Sequence, residues 1–170
     1  MKILANGIGI IAVIMCVLCF QCKTRRSILF FNAGSRVFYV LQYVLLGAFE
    51  GAVLDLTAFL VTMLARHKDC RPLKKYPALT IAGANGFIVV MGLLFYKDIY
   101  SLLPIVGVLF ETGAFWLNRE RDIRLVSFAS VPFWLAYNLI CGAYGSVTGN
   151  VLTMVSIGLA IVRYDILKNK

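Results

Sequence analysis

The chain is poor in the residues that carry most soluble chemistry. Charged side chains make up 15% of its 170 residues, against about 25% in soluble domains. Only eight residues are acidic, four are proline and one is histidine. The histidine, His67, stands between Arg66 and Lys68 at the end of an apolar run, a place that reads as interfacial rather than catalytic. No HExxH, GxSxG or paired-aspartate motif is present, so no nucleophile–base or metal constellation converges. An enzyme is not expected, and no catalytic residue is assigned. Cysteine is scarce too, at five residues. Cys16, Cys19 and Cys22 recur every third position, but no further Cys or His lies nearby to complete a tetrahedral metal set. They read as small apolar groups on a membrane helix. Cys141 has no evident partner, which argues against a disulfide framework. Neither a metal nor a cofactor is expected.

What the chain has in quantity is apolar surface. Hydrophobic residues make up 61% and the mean hydropathy is +0.84. At about 20 residues per crossing, the length holds about seven spans with short connections. The runs read as spans at 3–20, 27–47, 49–66, 77–96, 99–117, 123–142 and 146–164. Lys2 precedes the first, but no small-x-small cleavage site follows it, so the run is a span and not a signal peptide. The longest polar stretch, HKDCRPLKKYP, contains Pro72 and Pro77 and reads as a loop between two halves.

The net charge of +9 does not point to nucleic acid, because the basic residues sit in short connections. With the N-terminus outside, the inner segments hold Lys23, Arg25 and Arg26; Arg66, Lys68, Arg71, Lys74 and Lys75; Arg119, Arg121 and Arg124; and Arg163, Lys168 and Lys170. That is fourteen of the seventeen Lys and Arg. The inverse arrangement would place these fourteen outside, so N-out, C-in is expected.

The runs also repeat. GAFEGAVLD at 47–55 returns as GAYGSVTGN at 142–150, an offset of 95. Without a gap, the same offset aligns Phe20 with Phe115, Arg26 with Arg121, Ile28 with Ile123, Ser35 with Ser130 and Ala65 with Ala160. Spans 1–3 and 5–7 are therefore copies in parallel orientation, with span 4 as connector. The expected divisions are a first three-helix repeat at 1–71, a linker helix at 72–97 and a second repeat at 98–170.

Three ionisable groups fall at membrane depth: Arg36, Asp55 and Glu111. A charge there costs about 2.5–3.5 kcal/mol on insertion scales, so each should face the bundle interior and find a partner. Arg36 lies about 13 Å from the inner start of its span and Glu111 about 10 Å from the inner end of its own. These depths permit an ion pair, and Asp55 falls in the outer half of span 3. Span 2 carries Asn32, Arg36, Tyr39 and Tyr43 on one helical face, flanked by Ser35 and Gln42. Under the offset, span 6 answers with Ser127, Ser130, Trp134, Tyr137 and Asn138. One such stripe is packing glue; two matched stripes, with Asp55 and Asn150 on both third helices, read as walls of one cavity.

FQCKTRR at Phe20–Arg26 and LLGAFEGA at 45–52 resemble the YgjV-type bacterial inner-membrane proteins. The 3+1+3 plan is similar to the SWEET and PQ-loop superfamily. That resemblance implies an all-α, seven-helix, multi-pass protein of the bacterial inner membrane. In SWEET-like proteins an Asn on span 3 and another on span 7 face the substrate; the matching positions here are Asp55 and Asn150. The chain departs from the pattern in lacking the Pro-Gln pair, having Phe20-Gln21 and Phe115-Trp116 at those span ends. Pro104 and Pro132 match Gly9 and Val37, so proline-hinged gating does not carry over.

The expected function is movement of a small polar solute through a central cavity. Its binding residues would be Asp55, Asn150, Tyr39, Trp134, Tyr43, Asn138, Arg36 and Glu111. A carboxyl held out of water favours its protonated form, so Asp55 or Glu111 are candidates for proton coupling, Glu111 equally for a structural pair with Arg36. The alternative is a non-transporting assembly or receptor-like protein on the same fold, with the basic rim from Arg66 to Lys75 holding anionic lipid or an acidic partner. Beyond the bilayer and the solute, no nucleic-acid partner is expected, and the oligomeric state is open.

Overall fold

The computed structural model describes residues 2–166, with the side chains of Lys2, Ile3 and Pro72 excepted. Lys168 and Lys170, two of the inner basic residues, lie outside the described residues. Among those described there are eight α-helices and no strand. They are α1 (Lys2–Gln21), α2 (Arg25–Leu46), α3 (Phe49–Arg66), α4 (Arg71–Lys75), α5 (Pro77–Leu94), α6 (Leu102–Ala114), α7 (Glu120–Ile140) and α8 (Tyr144–Ala160). A 3₁₀ turn, Ile99–Ser101, leads into α6, and a π-helical turn, Ile161–Ile166, continues α8. Helices suit an apolar medium because their backbone groups are satisfied within the segment.

Five helices are long and apolar enough to cross a membrane: α1, α2, α5, α7 and α8 with its π-turn. α3 is as long as α5 but carries Glu50, Asp55 and Arg66. α6 is shorter, an apolar stretch of Ile99–Ala114 with its 3₁₀ entry. The polar stretch read as a loop contains the one-turn α4, with a proline in its first turn. There the missing proline N–H leaves no bond unmade.

The offset of 95 recurs in the backbone. α2 and α7 start at Arg25 and Glu120, and α3 and α8 at Phe49 and Tyr144, each pair 95 apart. Both hairpins turn on a left-handed glycine, Gly47 at φ 76° and Gly142 at φ 69°, a region that side chains with a Cβ avoid. In both, the following alanine N–H closes the helix, Ala48 onto Tyr43 O and Ala143 onto Asn138 O. The small-residue motif in the sequence thus encodes one turn, made twice.

Packing joins six helices into a ring: α1 against α2, α2 against α3, α3 against α6, α6 against α7, α7 against α8, and α8 against α1. α5 lies outside it, over the seam between α3 and α6. Only Ala84, Ile88 and Gly92 of α5 are buried. Leu79 and Leu94 are 72% and 71% exposed, as a lipid-facing helix requires. Two apolar clusters fill the ring. One gathers Tyr43, Leu54, Val61, Ile105, Trp134 and Tyr137 and takes in Ala84 and Ile88 of α5. The other gathers Cys19, Phe20, Ile28, Phe115, Ile123 and Ile157 toward the basic end. Phe20 with Phe115 and Ile28 with Ile123 are counterparts at the same offset, so the second cluster is built symmetrically.

The α1–α8 seam depends on a small residue. A Cβ on Gly149 would overlap Val13, whose branched side chain has little freedom to turn away. Gly149→Ala should therefore destabilise the protein by about 1–3 kcal/mol. Adding Val13→Ala should recover part of that loss. Thermal melts of the two single variants and the double variant in detergent check the coupling; additive losses would show that the seam does not set the stability.

Candidate functional site

The helical spacing read from the sequence brings Asn32, Arg36, Tyr39 and Tyr43 to one face of α2, and that face meets α3 and α6. Arg36 and Asp55 are each only 3% exposed. Arg36 bridges two carboxylates. Its Nη1 donates to Asp55 Oδ1 at 2.5 Å, and its Nη2 stands 2.7 Å from Glu111 Oε2. The second contact is one of charge, off the line of an aligned hydrogen bond. Asn32 fixes the group from the side: its Oδ1 accepts from Arg36 Nε at 3.1 Å and its Nδ2 donates to Glu111 Oε1 at 2.7 Å. The pairing of Arg36 with Glu111 is as the depths allow. Asp55, placed by the sequence in the outer half of its span, completes the bridge. Burying these charges is costly, and only their mutual pairing makes it tolerable.

Beside the bridge lies a cavity of about 50 Å³. A cavity needs about 10–15 Å³ per water on this measure, so it holds a few water-sized groups. All eight residues expected at a binding site line it: Arg36, Tyr39 and Tyr43 from α2, Asp55 from α3, Glu111 from α6, Trp134 and Asn138 from α7, and Asn150 from α8. Ser35, Ser127, Ser130 and Val131 fill in between. Sequence reasoning missed Cys16 and Phe20 on α1 and Thr153 on α8, which also line it. Thr153 lies one turn beyond Asn150, a spacing that could have found it; Cys16 and Phe20 are one turn apart on an apolar helix that carries no such mark.

Other polar residues of the stripes point elsewhere. Gln42 is fully buried against α8, where its Oε1 accepts from Ser146 Oγ at 3.1 Å. Tyr137 packs over Gly51, the counterpart of Ser146. Neither lines the cavity, nor do Glu50 and the connector's Asn85. Among the lining residues, Tyr43 OH donates to Asn138 Oδ1 at 2.7 Å, and Phe20 and Val131 belong to the symmetric cluster.

Besides Arg36 Nη2, which is ion-paired with Glu111, three cavity-lining groups are buried without a hydrogen-bond partner among the described residues: Ser127 Oγ, Trp134 Nε1 and Asn150 Nδ2. A buried polar atom left in that state costs about 1–3 kcal/mol. The wall is thus set up to bond something that occupies the cavity.

The basic end is bound together by side chains reaching helix termini. Arg25 donates through Nη2 to Ala65 O at 2.7 Å and Phe115 O at 2.6 Å, and through Nε to Leu117 O at 3.1 Å. Its backbone N–H donates to Glu120 Oε1. Lys68 Nζ donates to Trp116 O and to Asn118 Oδ1; burial first, and the Arg25 charge second, hold its ammonium below the usual lysine range. Arg124 donates to Asp165 Oδ1 at 2.9 Å and to Cys22 O at 3.1 Å, and lies over the Tyr164 ring. These residues, read from the sequence as topology signals alone, also satisfy orphan carbonyls at the ends of α1, α3 and α6.

An all-helical bundle with lipid-facing helices and a charged, polar cavity inside is a polytopic membrane protein. The chain belongs to the Imp-YgjV family of bacterial inner membrane proteins, whose model matches residues 3–168. Its place is therefore the bacterial inner membrane. No curated protein and no solved structure matches it.

Proposed function

We propose that the protein moves a small polar solute across the inner membrane. In this reading α1–α3 and α5–α8 all cross the bilayer in a SWEET-like 3+1+3 plan, with the N-terminus outside and the C-terminus in the cytoplasm. The observation that carries the proposal is the cavity between the six ring helices, to which both repeats bring charged and polar residues. A structural bundle would gain more from filling that space with apolar side chains. Two internal repeats around a midplane site are how many transporters alternate access. The Tyr43–Asn138 layer and the Phe20–Phe115 layer are the two seals such a cycle would open in turn. Protonation of Asp55 or Glu111 would release one arm of Arg36, which would couple the solute to protons.

The test is flux into proteoliposomes across a panel of small neutral, anionic and cationic solutes, with and without an imposed pH gradient. At least one solute should enter faster than into protein-free vesicles. Cys16 is the one cysteine lining the cavity. In a variant with the other four cysteines changed to serine, a water-soluble thiol reagent should modify it during transport. A panel in which nothing moves, with Cys16 unreactive, favours the alternative, a non-transporting assembly or receptor-like protein whose basic rim holds anionic lipid.

A further inference from the structure

We infer that the α7–α8 wall of the cavity is its ligand-holding half, and that it takes a small uncharged solute through an acceptor oxygen. The inference rests on the transport reading and deepens it. Its basis is a difference between the repeats. Arg36 has Val131 as its counterpart at the offset of 95. The groups that bind the guanidinium in the first repeat, Asn32 and Asp55, have Ser127 and Asn150 as theirs. Tyr39 is answered by Trp134. The second repeat thus keeps the polar surroundings of a bound group and loses the group itself.

The unpartnered neutral groups of the cavity fall on that side, whereas Arg36 Nη2 on the other is ion-paired with Glu111. Ser127 is 1% exposed and Trp134 7%, and Ser127 Oγ, Trp134 Nε1 and Asn150 Nδ2 are buried without a partner among the described residues. On the first-repeat side, Asn32, Arg36 and Asp55 are bonded to one another. An indole N–H only donates, and the amide nitrogen donates too, so the complement is an oxygen that accepts. The nearby fixed charges are one guanidinium and two carboxylates, already committed to each other. An anion would meet their net negative charge, and a cation would meet N–H donors. A neutral carbonyl or hydroxyl compound meets neither obstacle, and the small cavity limits it to a few heavy atoms.

Urea, guanidinium and nitrate separate these cases, being planar, three-armed and nearly equal in size, with charges of zero, plus one and minus one. With the full chain in proteoliposomes, urea should equilibrate faster than in protein-free vesicles, while guanidinium and nitrate should not. Trp134→Phe, which keeps a ring and removes the N–H, should slow urea about tenfold, the loss of one hydrogen bond. Ser127→Ala should slow it as well, and Trp116→Phe, outside the cavity, should leave it unchanged. In Trp116→Phe protein the single remaining indole, Trp134, should change its emission on addition of acetamide, a readout that needs no variant of the wall. Guanidinium or nitrate outpacing urea overturns the neutral assignment. Urea flux indifferent to both Trp134→Phe and Ser127→Ala, with no acetamide-dependent emission, overturns the wall assignment. Movement of other solutes in the wider panel but none of these three defeats this inference alone. Movement of nothing at all defeats the transport reading itself.

Discussion

Replacing Arg36 with methionine should cost about 3–5 kcal/mol of stability. The guanidinium is the cation that bridges Asp55 and Glu111. Without it two carboxylates remain buried at close range, and Asn32 Oδ1 loses its donor. The loss should not be repaired by Arg36→Lys, since one compact ammonium cannot reproduce the planar fork that reaches both acids and Asn32. It should be largely repaired by adding Asp55→Asn and Glu111→Gln, because the penalty comes from stranded charge and not from lost packing. Equilibrium unfolding in detergent, comparing the single variant with the triple, measures both effects. If the single variant unfolds at the wild-type point, the bridge is not what holds α2 to α3 and α6.

Arg25→Ala should be the second large effect, at about 3 kcal/mol. One side chain supplies hydrogen bonds to the ends of α3 and α6 and to the turn that follows, at Ala65, Phe115 and Leu117. Charge-assisted bonds contribute about 1.5–3 kcal/mol each, but three on one fork share a single desolvation and do not add fully. Arg25→Lys should recover less than half, since an ammonium cannot fan out to three carbonyls. Thermal melting, with amide hydrogen exchange across residues 64–68 and 114–118, checks this. Both segments should lose protection together, whereas an unchanged exchange pattern would mean the carbonyls find other partners.

These two arginines also mark what the sequence does and does not disclose. The matched hairpin turns were legible because Gly47 and Gly142 fall at one offset and a left-handed turn admits few residues other than glycine. The cavity wall was legible because helical spacing lines up Arg36, Tyr39 and Tyr43, and the second copy repeats the pattern. Arg36 beside Glu111 could be reached from depth along the membrane normal. Asp55 could not be brought to the same guanidinium that way, since depth says nothing about how far each helix is rotated about its axis. Cys16 and Phe20 were hidden for a related reason: α1 is apolar on every face, so no contrast marks the side turned inward. Arg25 was hidden by a simpler explanation, because any basic residue at an inner helix end satisfies the topology rule whether or not it caps anything. The short α4 was masked by prolines that read equally well as a loop.

The hydrogen bond from Tyr43 to Asn138 joins positions matched by the offset of 95. Counterparts touch only beside the axis relating two copies. In a dimer of identical subunits a residue on that axis meets itself, and every mutation strikes both partners at once. A single chain is free of that bond between the two fates. Tyrosine can then meet asparagine as a fixed donor and acceptor, and an arginine on one side can face a valine on the other. One chain can thereby carry different residues at matched positions, a freedom closed to a symmetric dimer.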